Sequence, residues 1–302
     1  MTRNTFLLAT LLSATSLTAV AQTELEAAGT TKFKHYFTDS VDFSNQPERI
    51  NNKYPLSDQK NTAGWVKVES ACDEFKGRKL NEDLWYDYNP GWKGRQPTQF
   101  HPSNVDVKRG NLVLSINKHG EEKLLDGYTH TSGFIVSKQK YKYGYFEARL
   151  KANNSPWVAG FWLTGSAKDH WIEIDVCENC PGVEKNAYTL NSNVHIFRTP
   201  EILRGEEKNF SISKKYYIPF RLEEDYHVWG CEWTEDVIRF YIDGVMFREQ
   251  ENTHWHYPQQ INVNNESNIW LSAVPDDNKL DEVYLVDYVR VWQKAPETQK
   301  NM

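Results

Sequence analysis

Three carboxylates, Glu173, Asp175 and Glu178, fall within the six residues 173–178 of the segment HWIEIDVCENC at 170–180. Around them Ile172, Ile174 and Val176 give the β-branched alternation of a strand. Residues i and i+2 of a strand share a face, so Trp171, Glu173 and Asp175 point one way and the three β-branched residues point into a core. Glu178 is out of phase. One extra residue near Val176 or Cys177, forming a β-bulge, returns it to the carboxylate side. The bulged spacing puts the Cα atoms of Glu173 and Glu178 about 13 Å apart, and side chains leaning together on a concave sheet can close their carboxyl groups to about 5–5.5 Å.

That separation suits double displacement at a glycosidic bond. One ionised carboxylate attacks the anomeric carbon and a protonated partner delivers a proton to the departing oxygen. Crowded like charges raise the pKa of one member of such a set, which divides the roles. Glu173 is the expected nucleophile, Glu178 the general acid and then base, and Asp175 the neighbour that orients the nucleophile and tunes the pair. A solvated acidic strand or a calcium site are the plainer readings of three acids. The apolar alternation and the out-of-phase third acid weigh against both.

The chain that must position these groups has 302 residues, 39% hydrophobic and 14% aromatic, enough for one sizeable core. Short alternating segments recur from Trp65 onward: WVKVES at 65, NLVLSI at 111, GFIVSK at 133, GYFEARLKA at 144, AGFWLT at 159, NSNVHIF at 191, HVWGCEW at 227, VIRFYID at 237, IWLSAV at 269 and VYLVDYVRVW at 283. Asn89-Pro90-Gly91, Arg109-Gly110-Asn111, Pro181-Gly182 and Asp243-Gly244 supply turns between them. With no amphipathic helix of 12 residues in the sequence, the pattern predicts an all-β sandwich rather than a βαβ array. The expected organisation is a secretory leader at 1–21, a polar extension at 22–60 with order beginning near Trp65, one domain at 61–296 and a tail at 297–302.

The leader is read from Arg3, an apolar run from Phe6 and the small-x-small ending Ala19-Val20-Ala21. Export to the periplasm or medium follows, with no membrane span expected. Removing residues 1–21 takes away Arg3 and no acid, so the net charge moves from −6 to −7. Nucleic acid is therefore excluded as a partner. Cys72, Cys177, Cys180 and Cys231 are too few to frame a disulfide-built fold, and Cys177-x-x-Cys180 reads as structural thiols or a disulfide ahead of a metal or redox pair.

Glu173-Ile-Asp-Val-Cys-Glu178 resembles the E-x-D-x-x-E motif of glycoside hydrolase family 16, with YGYFEAR at 143–149, GFWL at 160–163 and DYVRVW at 287–292 in support. The likeness spans about residues 65–293. It implies a β-jelly-roll of two curved antiparallel sheets with an open concave cleft, and retaining endo-attack on β-linked glucans or galactans. The bulged motif is similar to that of laminarinases, agarases, carrageenases and porphyranases, and departs from the unbulged lichenase form. The stretch 90–115 resembles the agar-cleaving branch. Within it Trp92-x-x-Arg95 looks like the porphyranase version, since Trp92 offers a flat face to a sugar ring and Arg95 a fork that can grip a sulfate ester.

The resemblance also puts His195, in NSNVHIFRTP, in the cleft, and makes Trp255 a further sugar platform beside Trp171. It implies no cofactor for catalysis. It allows a structural calcium ion on the convex side, where Asp287 sits at a position that often supplies one ligand, while leaving the metal set undefined. The expectation is a secreted monomeric endo-β-1,4-galactanase acting on porphyran, with agarose, then laminarin or carrageenan, as alternative substrates. A jelly-roll that only binds polysaccharide is the competing class. Three mutually repelling carboxylates serve no purpose in a pure binding module.

Overall fold

The computed structural model describes residues 36–37, 40–118 and 124–295; the expected leader at 1–21 and tail at 297–302 lie outside them. The alternating segments build two large sheets, as the patterning predicts. The first has nine strands: Tyr36–Phe37, Lys214–Tyr217, Thr189–Arg198, Trp171–Asn179, Val158–Ser166, Gln260–Glu266, Phe134–Ser137 and Trp85–Tyr86 in spatial order, with Phe210–Ser211 beside Thr189–Arg198. Its pairs are antiparallel, apart from Tyr36–Phe37 running parallel to Lys214–Lys215.

The second sheet has eight strands: Val245–Glu251, Val237–Ile242, His227–Trp233, Gly144–Lys151, Tyr284–Lys294, Asn111–Leu114 and Val105–Lys108, with Trp65–Lys67 beside Tyr284–Lys294. A three-stranded sheet of Thr98–Phe100, His130–Ser132 and Ile116–Lys118 flanks them. The core lies between the two large sheets. Ile172, Ile174 and Val194 meet Phe146, Trp229 and Val289 there, all essentially sealed from solvent. Helix is confined, among the described residues, to Pro200–Leu203 and short 3₁₀ turns. No helix there is long and apolar enough to cross a membrane.

Asp243-Gly244 makes the expected hairpin. Both residues have positive φ, 49° and 78°, the two-residue geometry that matches strand twist. At Gly244 a side chain would also strike Pro47, since an added Cβ would lie 2.4 Å from its Cγ.

Two expectations change. The segment at 269, read as a strand, forms a 3₁₀ turn at Ile269–Leu271 ending on Ser272 with φ of 58°. Its apolar residues point both ways, and Ile269 and Val274 are exposed. Order also begins before Trp65: residues 47–57 strap the outer face of the eight-stranded sheet. Ser57 Oγ donates to Tyr145 Oη at 2.8 Å, Trp292 Nε1 donates to Lys53 O at 2.6 Å, and Arg290 Nη1 donates to Asn52 Oδ1 at 3.0 Å. At the centre Glu147, fully buried, accepts from Arg49, from Leu56 N at 2.7 Å and from Tyr288 Oη at 2.9 Å. The strap is held by hydrogen bonds rather than by an apolar stripe, so hydrophobic periodicity does not reveal it.

Candidate active site

The carboxylates sit where a register slip places them. Phe161 pairs with Cys177 and Trp162 with Asp175, so Val176 is the extra residue. Val176 and Cys177 both enter the core, and Glu178 returns to the face of Glu173 and Asp175. The same face continues onto neighbouring strands. Glu173 lies opposite Thr164 and His195, Asp175 opposite Trp162 and Asn193, and Glu178 opposite Gly160. Beyond Trp162 and Gly160 come Asn262 and Asn264, with Glu266 at the end of that strand.

His195 Nε2 is 3.1 Å from Asp175 Oδ2 and 3.9 Å from Glu173 Oε1, with its ring stacked on Phe197 at 4.8 Å. One polar atom from each of Glu173, Asp175 and His195 lies within 4.8 Å of the other two. Burial, and then the charge of Asp175, pushes the Glu173 carboxyl well above the ordinary carboxylate range. Burial, and then Glu178, does the same to Asp175. Both shifts favour the neutral carboxyl, and each is driven first by burial and then by a neighbouring carboxylate. His195 Nδ1 and Asn262 Oδ1 are buried without a hydrogen-bond partner among the described residues, and Asp175 Oδ2 and Glu266 Oε2 have only their ion-pair contacts with His195 and Arg95. Such groups suit a hydroxyl-rich ligand.

The proposed substrate contacts divide. Trp92 packs edge-on against Phe100 at 5.0 Å, over an apolar patch of Phe134, Val136 and Trp162 on the carboxylate face. Arg95 lies 5.7 Å from the Trp92 ring and its Nε is 3.5 Å from Glu266 Oε2, so its fork points at the carboxylate face. Trp171 is 42% exposed beside Phe197, with ring centroids 4.4 Å apart. Trp255 is not a platform. It is 0% exposed, and its Nε1 donates to the backbone oxygens of Glu173 at 2.8 Å and His195 at 3.1 Å. A large apolar ring with one N–H fits a core position that also satisfies two carbonyls. Trp255 thus fixes the two strands from behind.

Sequence reasoning missed the strand Gln260–Glu266 and with it Asn262, Asn264 and Glu266. Trp162 Nε1 donates to Asn264 Oδ1 at 2.7 Å, which sets the indole in the floor. Glu266 is pushed up to about 7, first by burial against the opposing pull of Arg95. The alternation Ile261, Val263 in INVNNES is the signal that could have found this strand.

All four cysteines are free. Burial raises the Cys177 thiol and pushes Cys180 up to about 12, so neither is a reactive thiolate. Asp287 is held by Arg149 Nη1 at 2.8 Å.

Residues 65–294 match the family model described as the β-porphyranase A–D GH16 domain. β-Porphyranase B of Zobellia galactanivorans is 30% identical over 252 residues, covering 76% of this chain and 85% of the relative. β-Porphyranase E of the same organism is 32% identical over 262 residues, covering 78% and 90%. The crystal structure of porphyranase B from Z. galactanivorans superposes with a TM-score of 0.69 at 29% identity, covering 76% of this chain and 92% of that one.

Proposed function

Since the chain belongs to glycoside hydrolase family 16, in its β-porphyranase A–D group, we propose that it is a retaining endo-hydrolase of β-1,4 galactosidic bonds in porphyran, a sulfated red-algal galactan. The observation that carries the reading is the bulged strand, which presents Glu173, Asp175 and Glu178 on one face with Trp92 and Arg95 beside it.

In the first step ionised Glu173 attacks the anomeric carbon to form the glycosyl ester while Glu178 protonates the leaving oxygen. In the second, Glu178 takes a proton from water as that water opens the glycosyl ester, restoring the original anomeric configuration. His195 stands within reach of both Asp175 and Glu173 and favours the ionised form of Glu173. The Ala19-Val20-Ala21 pattern supports an exported enzyme, and we take it to act as a monomer.

Substrate choice is tested by digesting porphyran, agarose, κ-carrageenan and laminarin side by side and identifying the products by mass. Porphyran is expected to be cleaved fastest; faster cleavage of agarose would remove the porphyranase reading and leave the chemistry intact. With a net charge near −7, the protein repels a polyanion at long range, so local cations must do the recognising. Arg95→Ala is expected to weaken transition-state binding of the sulfated unit by about 1.5–3 kcal/mol, the range for a hydrogen bond to a charged group. Unsulfated agarose should respond much less.

The Glu266 pairing adds a pH dependence. A sulfate must draw Arg95 away from Glu266, which releases it on protonation, so KM for porphyran is expected to fall as pH drops from about 8 to 6 around the raised Glu266 pKa of about 7. In Glu266→Gln this fall should disappear. A KM that falls equally in both proteins would remove Glu266 from sulfate recognition.

A further inference from the structure

Arg248 crosses the core with 2% of its surface exposed. Its guanidinium donates to Ser192 Oγ at 3.0 Å, to Ile212 O at 2.8 Å and to Gln250 Oε1 at 3.4 Å, and lies 4.8 Å from the Phe240 ring centroid. Each of these partners is neutral. The comparably buried Arg290, 3% exposed, is by contrast clamped by both oxygens of Glu74 at 2.7 and 2.9 Å. A buried cation without a carboxylate is expensive, and neutral hydrogen bonds only partly offset its lost hydration. Burial brings Arg248 down to about 10, so it remains charged at neutral pH.

Its counter-charge lies through the sheet. Ser192 faces the core; the next residue, Asn193, faces the cleft and pairs with Asp175. Guanidinium and carboxylates thus occupy opposite faces of one sheet, about one strand apart. Two sites so placed interact mainly through protein, and salt screens them little.

We propose that Arg248 is a positioning residue for catalysis: a fixed positive charge behind the sheet that limits how many protons the trio Glu173, Asp175 and Glu178 retains. The proposal rests on reading the trio as the catalytic carboxylates. The effect is reciprocal, since Arg248 favours ionised Asp175 and Asp175 favours charged Arg248. On the cleft side the trio also faces His195, Glu266 and Arg95. Arg95 is half exposed and already shared with Glu266, so its field is the more easily screened. Around Arg248 the other titratable groups are Tyr216 and Cys231, uncharged as phenol and thiol, and Lys214, a like charge on the neighbouring strand.

The test is the pH profile of kcat/KM for the wild type, Arg248→Gln and Arg248→Lys. Removing a positive charge raises the apparent pKa of the coupled carboxylates, so the acid limb of Arg248→Gln is expected to move up by about one pH unit. Activity below that limb should fall about tenfold, since each unit is a tenfold change in the ionised fraction. KM should hold, because the guanidinium does not reach the cleft. Arg248→Lys keeps the charge while losing part of the hydrogen-bond set, so its melting temperature should drop while its acid limb stays.

A purely structural clamp predicts lower stability in both variants and an unmoved limb in both; an unmoved limb in Arg248→Gln overturns the inference. If Arg248→Gln does not fold, Arg248→Met, which also removes the charge while filling the buried site, is read in its place, and an unmoved limb there overturns the inference. Full activity in Glu173→Gln or Glu178→Gln would instead sink the catalytic reading itself, whatever the Arg248 profiles show.

Discussion

Glu173→Gln is expected to lower kcat by about four orders of magnitude or more, because an amide cannot form the glycosyl ester and no other described carboxylate can take its place. Asp175 is 2% exposed and sits beside His195 in the sheet, whereas Glu178 stands beyond the bulge. Glu178→Gln should cost about 10²- to 10⁴-fold on the polysaccharide, the usual scale for positioned acid–base catalysis. With an aryl glycoside whose leaving group needs no proton, the first step in Glu178→Gln should largely recover, whereas Glu173→Gln should stay inactive. Azide separates the roles further. It can replace water in opening the glycosyl ester of a Glu178→Ala enzyme and should give a β-glycosyl azide, while in Glu173→Ala it attacks directly from the vacated side and should give the α-azide. Exchanged outcomes would reverse the two assignments. NMR of the first product anomer completes the test, since direct release of the α-anomer would eliminate the covalent intermediate.

The second large effect concerns stability, on the far side of the molecule from the cleft. Glu147→Ala is expected to destabilise the domain by about 3–5 kcal/mol, the cost of removing one partner from a buried ion pair. The carboxylate is fully buried and serves three donors; without it Leu56 N and Tyr288 Oη are left short of an acceptor under the strap. Arg49 retains about a fifth of its side-chain exposure and can turn to solvent, so the lower half of the range is expected. Glu147→Gln keeps the shape and two of the acceptor roles and should cost less. The denaturant midpoint measures both. Activity of the folded fraction should stay at the wild-type level, because Glu147 points away from the nine-stranded sheet; a kcat loss matching the stability loss would contradict that separation.

Much of this was legible in the sequence. The strands at 144, 159, 171, 191, 227, 237 and 283 carry strict apolar alternation because each buries one face in a single core, and period two survives whatever the opposite face does. The bulge was legible because Glu178 would otherwise be a bare carboxylate in that core. What failed had other physical origins. Trp255 looks like a sugar platform by residue type, yet type says nothing about burial, and only the fold shows two carbonyls waiting for its N–H. The strand Gln260–Glu266 hides because its cleft face is amide and acid rather than solvent-facing Lys, Thr or Ser. The strap at 47–57 hides because its two hydrogen bonds to one buried glutamate, from partners 98 and 91 residues away, leave no local pattern. Arg248 was invisible for the same reason: an arginine in VMFREQE reads as surface until the opposite sheet closes over it.

The single unpaired residue at Val176 also changes the parity of its strand. Before it, odd-numbered positions see the cleft and even-numbered ones the core; after it the assignment inverts, so Cys177 belongs with Ile172 and Ile174, and Glu178 with Glu173 and Asp175. A saturation scan from Trp171 to Asn179, read out by folding alone, should therefore show polar substitutions tolerated with period two, a double intolerant position at Val176 and Cys177, and the opposite phase beyond. Deleting Val176 would leave Glu173, Asp175 and Glu178 at alternate positions of a regular strand, all on the cleft face, whereas a strand that kept every residue and lost the bulge would carry Glu178 into a core lined by Phe161 and Leu163. Glu173 and Glu178 are thus separated by an odd step along the strand and share a face only because the backbone carries the bulge.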